Sequence, residues 1–269
     1  MTGDSAPPFE ITLSTAARAE HDEATLLRPE SRDSALDFTA FVSCYNEADL
    51  IVQTLDDIRA ALGQVGLSYE IIVIDDCTKD DSAERIRKYI GEHPADRLIL
   101  RRNLANQGLA QNYIDAAFLG KGRYYKLFCG DNTEPRDSIV QICSLAGQAD
   151  IIIPSYSSVE GKHGFRKWLS GAYTRLVNLV SGNDVGYYNG LHLHRRYNIM
   201  RWHPNTRGFG FQADIICMLL EHGATYREVS VPAINRVASR ALTWRNVLSV
   251  GHTLADILIR RLARRVYGR

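Results

Sequence analysis

The segment from residue 124 to residue 135 joins a buried-strand pattern to side chains that bind cations. A short apolar run over residues 124–128 ends in the sequence Cys-Gly-Asp-Asn. Parallel strands of an α/β sheet deliver polar groups in this way to the edge where ligands bind. Asp131 is therefore expected to hold a divalent metal ion or a phosphate-bound cation. A strand-ending turn is the alternative, since Gly, Asp and Asn are common turn residues.

Alternating strands and helices must position Asp131. Between residues 38 and 154, apolar strand segments alternate with helical segments and short polar joints. This alternation predicts a single α/β domain, with a mostly parallel, Rossmann-like sheet flanked by helices. The predicted strands span residues 38–44, 70–74, 97–100, 124–128 and 150–153.

Polar residues gather where four of these strands end. The clusters are Tyr45-Asn46-Glu47, Asp75-Asp76, Asn106-Gln107-Gly108 and Asp131-Asn132. Because the carboxyl ends of parallel strands share one edge, the clusters predict one cleft for a nucleotide-type ligand. Tyr45 is suited to stack on a base, and Asp76 to accept a hydrogen bond from a base or a ribose. The alternatives are core packing for Tyr45 and helix N-capping for Asp75 and Asp76; Asn46 also stands in an N-cap position.

Composition narrows the classes of function. The chain has 269 residues, 45% hydrophobic and 23% charged, which is typical of a globular protein. A formal net charge of +1 argues against a nucleic-acid partner. The five cysteines match no zinc spacing. No secretory signal or membrane span is recognised, so a cytoplasmic location is expected.

The regions outside residues 38–154 are expected to have other roles. Residues 1–37 are predicted to be a flexible or loosely attached extension, with a possible short helix at residues 15–23. Residues 38–154 are expected to bind the nucleotide, and residues 155–244 to complete the cleft of the same domain on the acceptor side. His192 and His194 lie two apart in a predicted strand, where a solvated face is expected for both.

Residues 245–269 are predicted to form a basic amphipathic helix. The segment is too short and too charged to span a bilayer, but it is suited to an anionic membrane surface. Packing on the domain or on a second copy in a homodimer is the alternative. Arg261 and Arg265 fall on the same helical face as Leu254 and Leu258, so the faces are not segregated unless the arginines snorkel.

Several segments resemble the signatures of the family 2 glycosyltransferases. In chain order they are Ser43-Cys44-Tyr45-Asn46-Glu47, Ile72-Val73-Ile74-Asp75-Asp76, Asn106-Gln107-Gly108 with Ala110, and Cys129-Gly130-Asp131-Asn132. The last stands where the family has its DxD-type metal motif. Residues 189–195 and 210–214 resemble later segments of the polyprenyl-phosphate sugar transferase branch. The likeness covers residue 38 to about residue 244.

The resemblance implies a GT-A fold, a UDP- or GDP-sugar donor and Mg²⁺ or Mn²⁺ bound with the donor nucleotide. It also implies inverting transfer to a lipid-phosphate acceptor, such as a polyprenyl phosphate at the inner face of the membrane, or to a glycan of the cell envelope. Asp214 is the candidate catalytic base and Asp131 the candidate metal ligand; a helix N-terminal carboxylate is the alternative for Asp214.

The resemblance and the strand-end pattern together define two further sets of expected site residues. Nucleotide-binding residues are expected to be Ser43, Tyr45, Asn46, Glu47, Asp75, Asp76, Asn106, Gly108 and Gly130. Residues that bind the acceptor or a phosphate are expected to be Arg166, Arg175, Gln212, Arg236 and Arg240.

Two departures from the family pattern keep other functions open. Cys129 or Gly130 takes the first acidic position of the metal motif, and the segment over residues 236–240 is shorter and lacks the usual glycine. One alternative is a degenerate relative that binds a nucleotide sugar without turnover. Another is a sugar nucleotidyltransferase of similar fold, although no Gly-rich, basic triphosphate loop follows the first strand.

Overall fold

The helices and strands were assigned in a computed structural model, which describes residues 9–21, 36–156, 164–202, 210–232 and 244–267. In chain order the elements are β1 (Phe9–Leu13), α1 (Thr15–His21), β2 (Leu36–Cys44), α2 (Ile51–Val65), β3 (Tyr69–Asp75), α3 (Ser82–Glu92), β4 (Leu98–Asn103), α4 (Leu109–Leu119), β5 (Gly122–Cys129), α5 (Arg136–Cys143), β6 (Ile151–Tyr156), α6 (Gly164–Ser181), β7 (Leu193–Arg195), α7 (Arg196–Met200), α8 (Phe211–Glu221), β8 (Tyr226–Val231) and α9 (Trp244–Tyr267).

The strands form one mixed sheet in the order β1-β4-β3-β2-β5-β7-β6-β8. Strands β4, β3, β2 and β5 are parallel to one another, and β8 is parallel to β6. Strands β1 and β7 run antiparallel to their neighbours. The predicted α/β architecture with a mostly parallel sheet is confirmed. Because β7 lies between β5 and β6, both predicted halves of the chain contribute to the same sheet.

Strand β2 shows why this sequence forms a two-sided buried sheet. Its residues alternate between the two hydrophobic clusters of the core: Phe41 belongs to one, and Ala40 and Val42 belong to the other. Successive side chains of a strand point to opposite faces, so a continuous apolar run needs a cover on both sides. Apolar residues of α4 pack in the first cluster and those of α2 in the second.

The N-terminal region is more firmly attached than predicted. Strand β1 pairs with β4 from Phe9 opposite Asn103 to Leu13 opposite Ile99. The Arg101 guanidinium lies 4.3 Å from the centre of the Phe9 ring. The prediction of a loosely attached extension is therefore wrong for residues 9–21, because the open backbone edge of β4 is satisfied by a further strand. The predicted short helix is confirmed as α1.

His192 and His194 are buried, so the predicted solvated face is wrong. They are 3% and 2% exposed, and their ring centres lie 5.9 Å apart. The physical reason is the position of β7, which is an interior strand rather than an edge. Burial, together with the smaller effect of the nearby positive charge of Lys126, lowers the pKa of His194 to about 3. Burial likewise lowers the pKa of His192.

Burial of neutral His194 predicts a specific loss of stability in acid. The folded-state pKa of about 3 lies below the ordinary value of 6.5, so between these pH values only the unfolded chain takes up the proton. Stability is therefore lost as pH falls through this window. From pH 7 to 5, the free energy of unfolding of the wild type should fall by up to about 1.4 kcal/mol per pH unit more than that of His194→Gln. Urea unfolding at each pH measures the difference. The exposed control His222→Gln should follow the wild type; parallel curves for all three proteins would contradict the prediction.

Candidate active site

The carboxyl ends of β2, β3 and β5 lie level at one edge of the sheet. Cys44 pairs with Asp75, and Ser43 pairs with Cys129. The loops that follow these strands therefore start side by side. This arrangement agrees with the single cleft that the strand-end clusters predict.

The loop after β2 is tied to the loop after β3 through Asn46. Asn46 has a φ of 58°, and its side-chain oxygen accepts hydrogen bonds from the Lys79 amide at 2.9 Å and the Thr78 hydroxyl at 3.2 Å. The predicted helix N-cap at Asn46 is wrong, because α2 begins only at Ile51 and Asn46 is used in this cross-loop contact. The Tyr45 side chain is 47% exposed, which excludes the alternative of core packing and leaves its ring free to stack.

Asp75 and Asp76 are both buried and shape the loops around them. The Asp75 carboxylate accepts a hydrogen bond from the Thr78 amide at 2.9 Å and lies 3.3 Å from the Arg102 guanidinium. Burial raises the pKa of Asp75, while those two partners act in the opposite direction. Neither acid is the N-cap of α3, which is Asp81.

Asp76 organises the start of α4. One oxygen accepts hydrogen bonds from the Asn103 amide group and the Gln107 backbone amide, both at 2.8 Å. The other accepts from the Gly108 amide at 2.9 Å. Gly108 has a φ of 83°, a left-handed conformation that favours glycine. Asn106 donates to the Asp76 carbonyl at 3.2 Å. Three expected nucleotide-binding residues therefore form one rigid loop.

Gly130 leaves space for the side chain of Glu47. A Cβ atom at Gly130 would lie 2.9 Å from the Ser43 carbonyl oxygen and 3.1 Å from Glu47 Cγ. Burial, followed by the negative charges of Asp131 and Asp80, raises the pKa of Glu47 to about 7. Glu47 and Asp131 therefore present two interacting carboxylates at neighbouring strand ends. Within the described ranges no group of three His, Cys, Asp or Glu side chains is arranged to hold a metal.

A buried ion pair between Lys126 and Glu134 lies in the interior of the protein next to the Asp131 loop. Lys126 Nζ lies 2.7 Å from Glu134 Oε2 and donates to the Leu191 carbonyl at 2.8 Å. The Tyr156 hydroxyl donates to Glu134 Oε1 at 3.0 Å. Glu134 thus points into the protein and is engaged there. This network is not predicted from the sequence, where its one signal is a lysine inside the apolar run of β5.

Asp214 lies in the first turn of α8, 4% exposed. Its Oδ2 atom accepts a hydrogen bond from Trp202 Nε1 at 2.7 Å. Its Oδ1 atom lies 2.6 Å from Arg260 Nη1 of α9. Both carboxylate oxygens are therefore engaged within the protein. Gln212, two residues earlier, is partly exposed.

Of the other expected acceptor residues, the structure describes the side chain of Arg175 alone. Arg175 is exposed on α6. Arg236, Arg240 and the side chain of Arg166 lie outside the described residues.

Fold and site together define an α/β protein with a carboxylate-lined edge at the ends of parallel strands. Residues 39–214 match the family described as glycosyl transferase family 2, and the chain belongs to this family.

Two curated relatives match part of the chain. Succinoglycan biosynthesis protein ExoO of Rhizobium meliloti (strain 1021) is 32% identical over 124 residues, which cover 46% of this chain and 33% of ExoO. The dolichyl-phosphate beta-glucosyltransferase of Dictyostelium discoideum is 27% identical over 124 residues, which cover 44% of this chain and 38% of the enzyme. The matched segment thus spans well under half the length of either relative.

A solved structure shares the fold. The mannosyltransferase PcManGT from Pyrobaculum calidifontis, in complex with GDP-Man and Mn²⁺, superposes with a TM-score of 0.60 at 20% identity. The superposition covers 89% of this chain and 69% of PcManGT. The expected GT-A-type fold is confirmed.

Removing the Asp76 carboxylate should destabilise the protein. In Asp76→Ala, the Gln107 and Gly108 amides and the Asn103 side chain lose their shared acceptor. Buried donors without partners cost free energy, so we expect the free energy of unfolding to fall by about 2 kcal/mol or more. Urea unfolding measures the change, with the exposed Asp49→Ala as the control. Equal losses in the two variants would show that the Asp76 contacts contribute no stability of their own.

Proposed function

We propose that this chain transfers a sugar from a UDP- or GDP-sugar to a lipid-phosphate or glycan acceptor, with inversion at the anomeric carbon. The observation that carries the proposal is the pair of interacting carboxylates, Glu47 and Asp131, at strand ends next to the exposed Tyr45. Membership of family 2 supports the reaction class. The Dictyostelium relative is a dolichyl-phosphate transferase, which favours a lipid phosphate as acceptor.

The nucleotide lies, in this proposal, across the ends of β2 and β3. The exposed Tyr45 ring stacks on the base. Because Asp76 holds the amides of Gln107 and Gly108, its main role is to keep the base- and ribose-facing loop in shape. Ser43, Asn46, Asp75, Asn106 and Gly130 contribute by fixing the backbone on which the donor rests.

The donor set fits a divalent cation such as Mg²⁺ or Mn²⁺. Asp131 and Glu47 offer hard carboxylate oxygens, and Gly130 leaves the space into which Glu47 reaches. Magnesium sites of this kind use one or two carboxylates and complete their shell with substrate phosphates. Glu47 thereby supplies the carboxylate that is missing from the first position of the metal motif. When bound, the cation neutralises charge that develops on the leaving diphosphate.

The acceptor side favours a phosphate over an alcohol. An alcohol needs a general base within hydrogen-bond reach, whereas both oxygens of Asp214 are engaged by Trp202 and Arg260. A phosphate acceptor carries its own negative charge at neutral pH and forms the bond to the sugar as the bond to the diphosphate breaks. We assign Asp214 a positioning role at the start of α8. Gln212, with Arg166, Arg175, Arg236 and Arg240, is assigned to the acceptor phosphate.

Binding without turnover is the second candidate, and the engaged Asp214 carboxylate is the observation that favours it. A panel of UDP-, GDP- and dTDP-sugars separates the two functions. Turnover requires sugar release or transfer to an added polyprenyl phosphate. Tight binding with no sugar release over a long incubation supports the binding protein. If no nucleotide raises the melting temperature, both proposals fail.

The metal assignment predicts that nucleotide affinity depends on both carboxylates. Added Mn²⁺ should tighten nucleotide binding in the wild type, measured by isothermal titration calorimetry with and without EDTA. Glu47→Gln and Asp131→Asn should each lose about tenfold or more of this Mn²⁺-dependent gain, with the affinity in EDTA little changed. Asp49→Asn, an exposed acid two residues from Glu47, is the matched control.

Mn²⁺ electron paramagnetic resonance gives a second measurement that does not depend on turnover. The wild type with nucleotide should immobilise the ion, and the two variants should immobilise less of it. Nucleotide binding that is identical in Mn²⁺ and EDTA would overturn the metal assignment. If Glu47→Gln keeps the full Mn²⁺ effect and Asp131→Asn does not, then Asp131 is a protein ligand of the ion and Glu47 is not.

A further inference from the structure

Helix α9 directs two of its arginines inward. Arg260 reaches Asp214 of α8, and its Nε atom lies 3.6 Å from Glu221. Arg261 Nη1 donates to the carbonyls of Leu179 and Val180 in the last turn of α6, both at 2.8 Å. These carbonyls have no partner within their own helix, so Arg261 satisfies the end of α6. The sequence placed Arg261 on an apolar face, but its charged end is used between helices.

The opposite face of α9 is apolar and exposed. The spacings from residue 248 to 259, from 258 and 259 to 262, and from 262 to 266 place its large exposed side chains on one side of the helix. They are Leu248 at 56%, Leu258 at 43%, Ile259 at 62%, Leu262 at 50% and Val266 at 75% exposure. Ile257 and Thr253, on the inner side, are buried.

Helix α6 also exposes large apolar side chains. It packs beside α9 through the Arg261 contacts and exposes Trp168 at 66%, Leu176 at 43% and Leu179 at 76%. We call these α6 and α9 side chains together the outer face. Large exposed apolar side chains that are concentrated on two neighbouring helices mark a site of contact with a partner or a membrane.

The charges around the outer face indicate whether it contacts a protein partner or a membrane. Arg175, Arg264 and Arg265 are exposed on the same two helices. Helix α6 contains no acidic residue, and the one acid of α9, Asp256, lies 3.3 Å from His252. A cavity of about 380 Å³ at the end of α9 is lined by Arg261, Arg264 and Arg265, with Glu221 and polar residues beside them. Exposed arginines on the two helices that carry the apolar side chains are complementary to anionic lipid headgroups.

The exposed aromatic residues and the lengths of the helices also favour contact with a membrane surface. Trp168 and Tyr267 are exposed at 66% and 77%, and both residue types favour the boundary between headgroups and acyl chains. No helix of the described ranges has the length and apolarity needed to cross a membrane. A helix with one apolar face and basic residues at its margins instead lies in the plane of the interface.

We propose that the outer face of α6 and α9 lies flat on an anionic membrane surface. The proposal deepens the proposed function, on which it rests for the identity of the acceptor, because a lipid phosphate is met at such a surface. Arg260 of the same helix holds Asp214. Docking of α9 would therefore also fix the first turn of α8 relative to the membrane.

Flotation with vesicles tests the surface. The wild type should float with vesicles of phosphatidylglycerol and phosphatidylcholine, and much less with phosphatidylcholine alone. The double variant I259E/L262E should lose about tenfold or more of its partitioning, since both carboxylates would enter the interface. The matched control is Phe118→Glu on α4, an equally exposed apolar residue at 57%, which should float like the wild type. Equal flotation of the three proteins overturns the proposal.

Further measurements separate this proposal from its competitors. Nucleotide and Mn²⁺ binding without vesicles should be the same in I259E/L262E and in the wild type, so a failed flotation experiment leaves the proposed function intact. Conversely, flotation without any nucleotide binding would support the surface and contradict the function. Light scattering after gel filtration reports oligomeric state. A wild-type dimer that I259E/L262E disrupts, with no flotation of the wild type, would assign the outer face to a second copy and overturn the membrane proposal.

Discussion

The register of β2 against β3 and β5 is the constraint on which the rest of the structure depends. It sets Cys44 beside Asp75 and Ser43 beside Cys129. The loops that carry Tyr45, Asp76 and Asp131 begin at these strand ends, so their level positions bring the loops together. A slip of one residue would turn the apolar side chains of β2 to the wrong faces. The two hydrophobic clusters on either side of the sheet therefore hold the register, and with it the geometry of the cleft.

The cleft brings several carboxylates together at the ends of neighbouring strands. Burial and neighbouring acids raise the pKa of Glu47, and burial raises that of Asp75. The ionised forms of Glu47 and Asp75 therefore cost stability, and the proposed cation would relieve that cost at Glu47. The buried charge of Lys126, in contrast, forms an ion pair with Glu134 in the interior of the protein. The buried charges of Asp75 and Lys126 are thus paired within the protein, whereas Glu47 lies at the proposed cation site.

The ion pair between Asp214 and Arg260 connects the proposed acceptor site with helix α9. On one side it fixes the start of α8, next to Gln212 and the proposed acceptor site. On the other side it orients α9 so that the apolar side chains face outward. A single interaction at 2.6 Å therefore relates a residue of the family pattern to the proposed membrane-facing surface. This link accounts for Asp214 being buried even though it occupies a position expected to contact substrate.

The sequence by itself determined the parallel strands, the polar residues at their ends and the family, because continuous apolar runs and adjacent strand-end motifs are local patterns. Their joint placement at one edge follows from parallel pairing alone. Only the tertiary structure decided the pairing of β1 with β4, the burial of His194, the approach of Glu47 to Gly130 and the inward direction of Arg261. Each of these joins segments far apart in the chain. The type and spacing of a residue do not reveal such a partner, because burial and charge pairing depend on how distant segments pack together in the folded protein.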